Sequence, residues 1–114
     1  MSECVFCRIV SGDIPAKKAY EDESILAFFD VNPAAPVHIL VIPKKHIGSI
    51  QDIDGADQKL VYNIMRIINK LAVETGIAES GFRIVVNNGP DGGQSVPHLH
   101  FHLLGGRGMS WPPG

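Results

Sequence analysis

Between Val96 and Gly106 the chain reads V-P-H-L-H-F-H-L-L-G-G, and from His98 to Leu103 polar and apolar residues alternate without a break. A β-strand repeats every two residues, so His98, His100 and His102 would share one face and Leu99, Phe101 and Leu103 the other. Rings on that face sit roughly 6.5–7 Å apart, twice the rise per residue. A helix would scatter the same histidines around its circumference. The pattern predicts a strand over 96–106.

The other periodicities fill in an α+β chain. Phe6, Ile9 and Val10 recur at helical spacing before Gly12 and Pro15, which predicts a short helix from about Val5 to Ser11. Lys17–Glu21 and Ser24–Asp30 read as two strands of a hairpin around a tight acidic turn. Pro33-Ala34-Ala35-Pro36 is a rigid connector that cannot join a sheet interior. His38–Ile42 follows as a nearly continuous apolar strand, buried on both faces. Apolar residues then fall at 60, 61, 64, 65, 67, 68, 71 and 72. That is a broad helical stripe, opened by Asp54 and Asp57 and stopped by Gly76. Its breadth exceeds what so small a domain needs, so part of it is expected to face a second copy of the chain. Phe82–Asn87 is a further strand. The expected architecture is one domain over 1–114: an antiparallel sheet of about five strands, one long helix and a short N-terminal helix.

Length and composition narrow the picture. The 114 residues suffice for one modest core, and the 45% apolar and 19% charged content is ordinary for a globular chain. A formal charge of −2, with basic pairs only at Lys17-Lys18 and Lys44-Lys45, weighs against nucleic-acid binding. No apolar run is long enough to span a bilayer, so no membrane partner is expected. Glu3, Arg8 and Asp13 interrupt the start, which therefore lacks the apolar core of a signal peptide. Two cysteines without a secretory signal give a reducing cytoplasm as the expected address.

The alternating histidines carry the chemistry. Imidazole titrates near neutrality and serves as nucleophile, acid, base or metal ligand. Neighbouring like charges disfavour ionisation, so at least one ring of the trio should be neutral and nucleophilic. The plain alternative is a solvated polar face, and a three-histidine catalytic metal site is another. His38 enters its apolar strand at the first residue, where a buried imidazole needs partners. Asp30 ends a strand, where a carboxylate either shapes a turn or accepts both hydroxyls of a ribose. The stretch Asn88–Ser95 holds three glycines in eight residues. Such a loop is a simple link or a nest of amides for an anion, and its place just before the histidines favours the nest. Cys4 and Cys7 lie on one side of the short helix as inert thiols, half of a zinc site, or a redox pair. The only tryptophan, Trp111, sits in a Pro-rich tail suited to docking on a partner protomer.

His98–Leu104 matches at every position the signature of the histidine triad (HIT) family, His-φ-His-φ-His-φ-φ with φ apolar. Asp13–Lys17, Asp30–His38, Val41–His46, Gly92–Ser95, Leu104–Arg107 and Trp111–Gly114 extend the likeness. Together they resemble the Hint branch, the histidine triad nucleotide-binding proteins, over essentially the whole chain. The resemblance implies hydrolysis of purine nucleoside 5′-phosphoramidates, such as AMP-lysine or an aminoacyl-adenylate, without a cofactor in catalysis. His100 would be the nucleophile on phosphorus. His102 and His38 would hold tautomers and pass protons, and His98 would border the phosphate. Ser95 and the backbone at Gly93 would bind phosphate oxygens, Asn87 would support them, and Asp30 would take the ribose. Phe6, Ile9, Phe28 and Val31 would wall the purine. Trp111 would arrive from the other protomer of a homodimer. Relatives with the cysteine pair imply a structural zinc on Cys4, Cys7, His46 and His98. Pro97 departs from the branch, which usually has an aromatic residue there. Competing functions are cleavage of dinucleoside polyphosphates and a nucleotide-holding scaffold that acts through protein partners.

Overall fold

A computed structural model of the chain describes residues 3–114. The helix α1 spans Val5–Ser11, with Gly12 closing it in the left-handed conformation at φ 88°. The strands are β1 (Lys18–Glu21), β2 (Ile25–Phe29), β3 (Val37–Pro43), β4 (Phe82–Val85) and β5 (Phe101–Gly105). The long helix α2 runs over Gln58–Glu74 between β3 and β4. The strands form one antiparallel sheet in the order β1-β2-β3-β5-β4. The hairpin turn between β1 and β2 is held by Asp22, whose Oδ1 accepts from the Ser24 and Ile25 amides at 2.8 Å each.

The sheet has two covered faces, as the continuous apolar runs of β2 and β3 require. Ile25, Ala27, Ile39, Val41, Phe101 and Leu103 pack with Ile64, Ile68 and Leu71 of α2. The alternate residues Leu26, Phe28, Leu40 and Ile42 pack with Phe6 and Ile9 of α1. The period of two therefore sends His102 to the α1 face, opposite Leu40 in the β3–β5 register. α2 is roughly 25 Å long at 1.5 Å per residue. It starts after a capping box in which Asp54 and Asp57 each accept a backbone amide of the other's turn. Thr75 and Gly76, at φ 77°, end it.

Two expectations need correction. The strand expected over 96–106 begins only at Phe101. Pro97 has no N–H to give a ladder, the His98 amide turns back to Val96 O at 2.8 Å, and Leu99 N–H reaches Ile47 O at 2.6 Å. His98 and His100 thus sit on an extended but irregular lead-in. Likewise β4 stops at Val85, not Asn87. Among the described residues no helix is long and apolar enough to cross a membrane.

Candidate functional site

The five histidines divide into two groups on the α1 side of the sheet. The first lies at a cavity of about 330 Å³ under α1, lined by Phe6, Ile9, Phe28, Asp30 and Val31 at its walls and by Ser95, His100 and His102. The walls are largely apolar, as a small-molecule site requires, with few polar groups converging on one end.

Hydrogen bonds assign the tautomers here. His100 Nδ1–H donates to the carbonyl of His98 at 2.7 Å. Its other nitrogen, Nε2, keeps the lone pair. The ring is held edge-on to Phe6 with centroids 5.1 Å apart, and it meets His102 at 5.0 Å. Behind His102 stands His38. The Ala34 amide donates to His38 Nδ1 at 3.0 Å, so the His38 proton is on Nε2, which donates to His102 Nδ1 at 2.9 Å. His102 then carries its own proton on Nε2. One line of protons runs from the Ala34 amide to His102.

Burial governs the charge of this line. It pushes His102 down to about 4, with the adjoining imidazoles of His100 and His38 adding to the effect and Asp30 opposing it. His38 is also lowered by burial, partly offset by the Asp30 carboxylate 3.5 Å from Nε2. Asp30 is fixed in turn by the Asn32 amide, which donates to Oδ1 at 2.8 Å. Asp30 thus shapes the turn through one oxygen and also lines the cavity.

His98 belongs to the second group. It is fully buried, does not line the cavity, and turns its Nδ1 towards Cys4 Sγ at 3.3 Å, Cys7 Sγ at 3.5 Å and His46 Nδ1 at 3.2 Å. Cys7 Sγ is 3.3 Å from His46 Nδ1. One donor atom from each of the four lies within 4.8 Å of all the others. His98 Nε2–H donates to Pro43 O at 2.8 Å, which leaves the Nδ1 lone pair aimed into the cluster. Cys7 N–H points at Cys4 Sγ at 3.4 Å, a usual support for a metal-bound sulfur. A tetrahedral zinc with ordinary bond lengths separates its ligands by about 3.3 Å for two nitrogens and about 3.6 Å for nitrogen and sulfur. The donor set and its spacing fit that ion. Burial, opposed by the hydrogen bond to Pro43, lowers the His98 pKa, which suits a neutral ligand.

Several expected positions fall elsewhere. His98 borders the cluster instead of a phosphate, because the lead-in before β5 is turned by its bonds to Val96 and Ile47. Gly93 and Asn87 do not line the cavity. The glycine loop closes on itself: Gly93 N–H donates to Pro90 O, Gln94 N–H to Gly89 O, and Asn87 Nδ2 to Gly92 O at 2.7 Å. The Gly93 amide is therefore spent within the loop. Trp111 is 81% exposed. Sequence patterning also passed over Arg107, whose guanidinium donates twice to Ala34 O, at 3.2 and 2.9 Å, and so braces the segment that orients His38. Its only signal was a basic residue following a Gly-Gly pair. Gln94 was passed over as well; its Nε2 ties the loop to the carbonyls of Gly48 and Val96.

Comparison with known proteins settles the ancestry of this arrangement. The family model described as HIT domain matches residues 11–109. The chain belongs to the HIT family. An uncharacterized HIT-like protein of Synechococcus elongatus is 49% identical, with both chains covered in full. A crystal structure of a HIT family hydrolase from Legionella pneumophila is 52% identical with a TM-score of 0.97, covering 98% of this chain and 100% of that one. A histidine triad nucleotide-binding protein from Candida albicans is 32% identical at a TM-score of 0.83, over 96% of this chain and 83% of its own. The five-stranded antiparallel sheet with its two helices is the HIT fold, and two of the similar solved structures, from Legionella pneumophila and Clostridium thermocellum, are named HIT family hydrolases.

Proposed function

We propose that this chain is a HIT hydrolase of the Hint type, which cleaves the P–N bond of purine nucleoside 5′-phosphoramidates. One observation carries the reading. The imidazole of His100 is at the cavity with Nδ1 committed to a backbone carbonyl, so Nε2 is the nitrogen available for attack.

The reaction follows from this arrangement. The Nε2 lone pair of His100 forms a bond to phosphorus while the P–N bond to the substrate amine breaks. The amine leaves with the bonding electron pair and takes a proton from water, while His102, which lines the same cavity, hydrogen-bonds the leaving nitrogen through Nε2–H. Burial keeps His102 neutral, so its Nε2–H orients the leaving nitrogen as a hydrogen-bond donor without adding a charge beside the nucleophile. Its own Nδ1 is served by His38, which steadies the ring through the transfer. Water then attacks the nucleotidyl-His100, releases the nucleoside monophosphate and regenerates the imidazole. Two steps through a covalent intermediate replace one harder hydrolysis. Asp30 takes the ribose hydroxyls, Ser95 a phosphate oxygen, and Phe6, Ile9, Phe28 and Val31 enclose the purine.

Cys4, Cys7, His46 and His98 would hold a zinc ion, and a site with four protein ligands would brace the fold and supply no chemistry to the substrate. The domain covers 1–114 and works as a cytoplasmic homodimer. β4 offers the pairing edge, with Ile84 40% exposed, and Tyr62 and Val73 of α2 are further exposed large hydrophobic residues. In the dimer Trp111 reaches the leaving group in the neighbouring protomer.

The test is His100→Ala assayed on an adenosine phosphoramidate. Turnover should fall by at least about a thousandfold while AMP binding changes little. Hydrolysis at the wild-type rate would remove His100 from the mechanism.

A further inference from the structure

The carbonyl that receives His100 Nδ1–H and the amide N–H of Leu99 are two ends of one peptide group. Its N–H end donates to Ile47 O at 2.6 Å and its carbonyl end accepts from His100 at 2.7 Å. β5 begins two residues later, at Phe101, so no strand ladder fixes this peptide's direction. One of its anchors and one of its flanks lead back to the cysteine–histidine cluster. Ile47 follows His46 directly, and the other flank of the peptide is His98 itself, with its ring tied to the end of β3 through Pro43 O at 2.8 Å.

We propose that Cys4, Cys7, His46 and His98 are positioning residues for the nucleophile: by holding His98 and His46 together, a bound metal locks the 98–99 peptide and thereby the tautomer of His100. The inference rests on His100 being the nucleophile. With a cation across the four donors, segments 46–47 and 98–99 move as one body. Without it, the Nδ1 atoms of His46 and His98 face each other at 3.2 Å, with two sulfurs at 3.3–3.5 Å from them. His98 Nδ1 presents a lone pair there, and without the cation its partners are a weak S–H donor or the His46 ring N–H, restraints loose enough to let the two segments drift apart. Once the carbonyl swings away, His100 loses the partner that keeps its proton on Nδ1. Molecules with the proton on Nε2 have no lone pair for phosphorus. A cluster that only staples the fold would alter stability and leave the folded site unchanged.

The experiment compares zinc-loaded and chelated protein by imidazole ¹⁵N correlation spectra, AMP binding and single-turnover rate. We expect the loaded protein to hold His100 as one Nδ1–H tautomer, and the chelated protein to show averaged ring shifts. AMP affinity should stay within about threefold, while the single-turnover rate falls about 10- to 100-fold, the scale of a misplaced reacting group. An unchanged His100 tautomer and rate after chelation would overturn the proposal. Should chelation unfold the chain, cadmium replaces zinc: its longer bonds to the same donors must shift the His100 resonances and slow the step, and unmoved resonances overturn the proposal equally. Rescue of Cys7→Ala by no conservative ligand, including Cys7→His, would also count against it. A tautomer that follows the metal in a protein without phosphoramidase activity would support this inference and contradict the proposed reaction. Turnover with a tautomer indifferent to the metal would do the reverse.

Discussion

His102 is the residue on which charge and stability meet. Its pKa is about 4 in the folded chain against an ordinary 6.5, because burial and two neighbouring imidazoles disfavour its cation. The unfolded chain therefore binds the proton more readily, and this site's contribution to stability is present above pH 6.5 and lost as pH falls towards 4. His38 and His98 act in the same sense. Urea midpoints should accordingly drop between pH 7 and pH 4.5, and His102→Gln should flatten that drop. A variant with an unchanged slope would place the acid sensitivity elsewhere. Arg107→Ala is a second residue-scale test. Losing both bonds to Ala34 O frees the amide that orients His38, so kcat should fall several-fold with KM nearly unchanged. Equal changes in both would make Arg107 a binding residue instead.

Elements were legible in the sequence wherever burial has a clear period. The stripe from residue 60 to 72 gave α2, and the apolar run after the Pro-Ala-Ala-Pro connector gave β3. The histidine alternation predicts one strand, and there local pattern meets a limit. Alternation says which residues share a face of a strand but not whether a ladder exists to hold it. Pro97 and the Ile47 carbonyl decide that, and the second is a contact across more than fifty residues of sequence. The consequence is functional: His98 swings out of line and serves the cysteines, while His100 and His102 stay at the cavity. The glycine loop shows the same limit, since glycine permits a nest of amides without obliging one. Packing within β5 offers its own check. A Cβ on Gly105 would sit 2.5 Å from Ile77 Cδ1 and about as close to the rest of that side chain, at 3.0 and 3.1 Å. Gly105→Ala should therefore cost about 1–3 kcal/mol by overpacking, measured by chemical denaturation. A neutral result would mean that α2 and its following turn yield more easily than their buried contacts suggest.

At the scale of the molecule, α1 does double duty. One end of this single short helix supplies Cys4 and Cys7 to the cluster, and its buried face supplies Phe6 and Ile9 to the cavity wall. Protein prepared without chelator should carry about one equivalent of zinc per chain, and less than about a tenth would remove the metal from the account. Sedimentation should give twice 12.3 kDa, with substitution of Ile84 by a charged residue shifting it towards the monomer. A monomer in the parent protein would instead leave Trp111 without a neighbour's site to reach.

The central claim is that His100 becomes covalently nucleotidylated, and rapid quenching of the enzyme with an adenosine phosphoramidate tests it most directly. Mass spectrometry of the digested protein should find an adenylyl group on the peptide containing His100, lost under acid as a phosphohistidine-type bond is, and absent from His100→Ala. Steady turnover without any such adduct, or an adduct on another residue, would contradict the account.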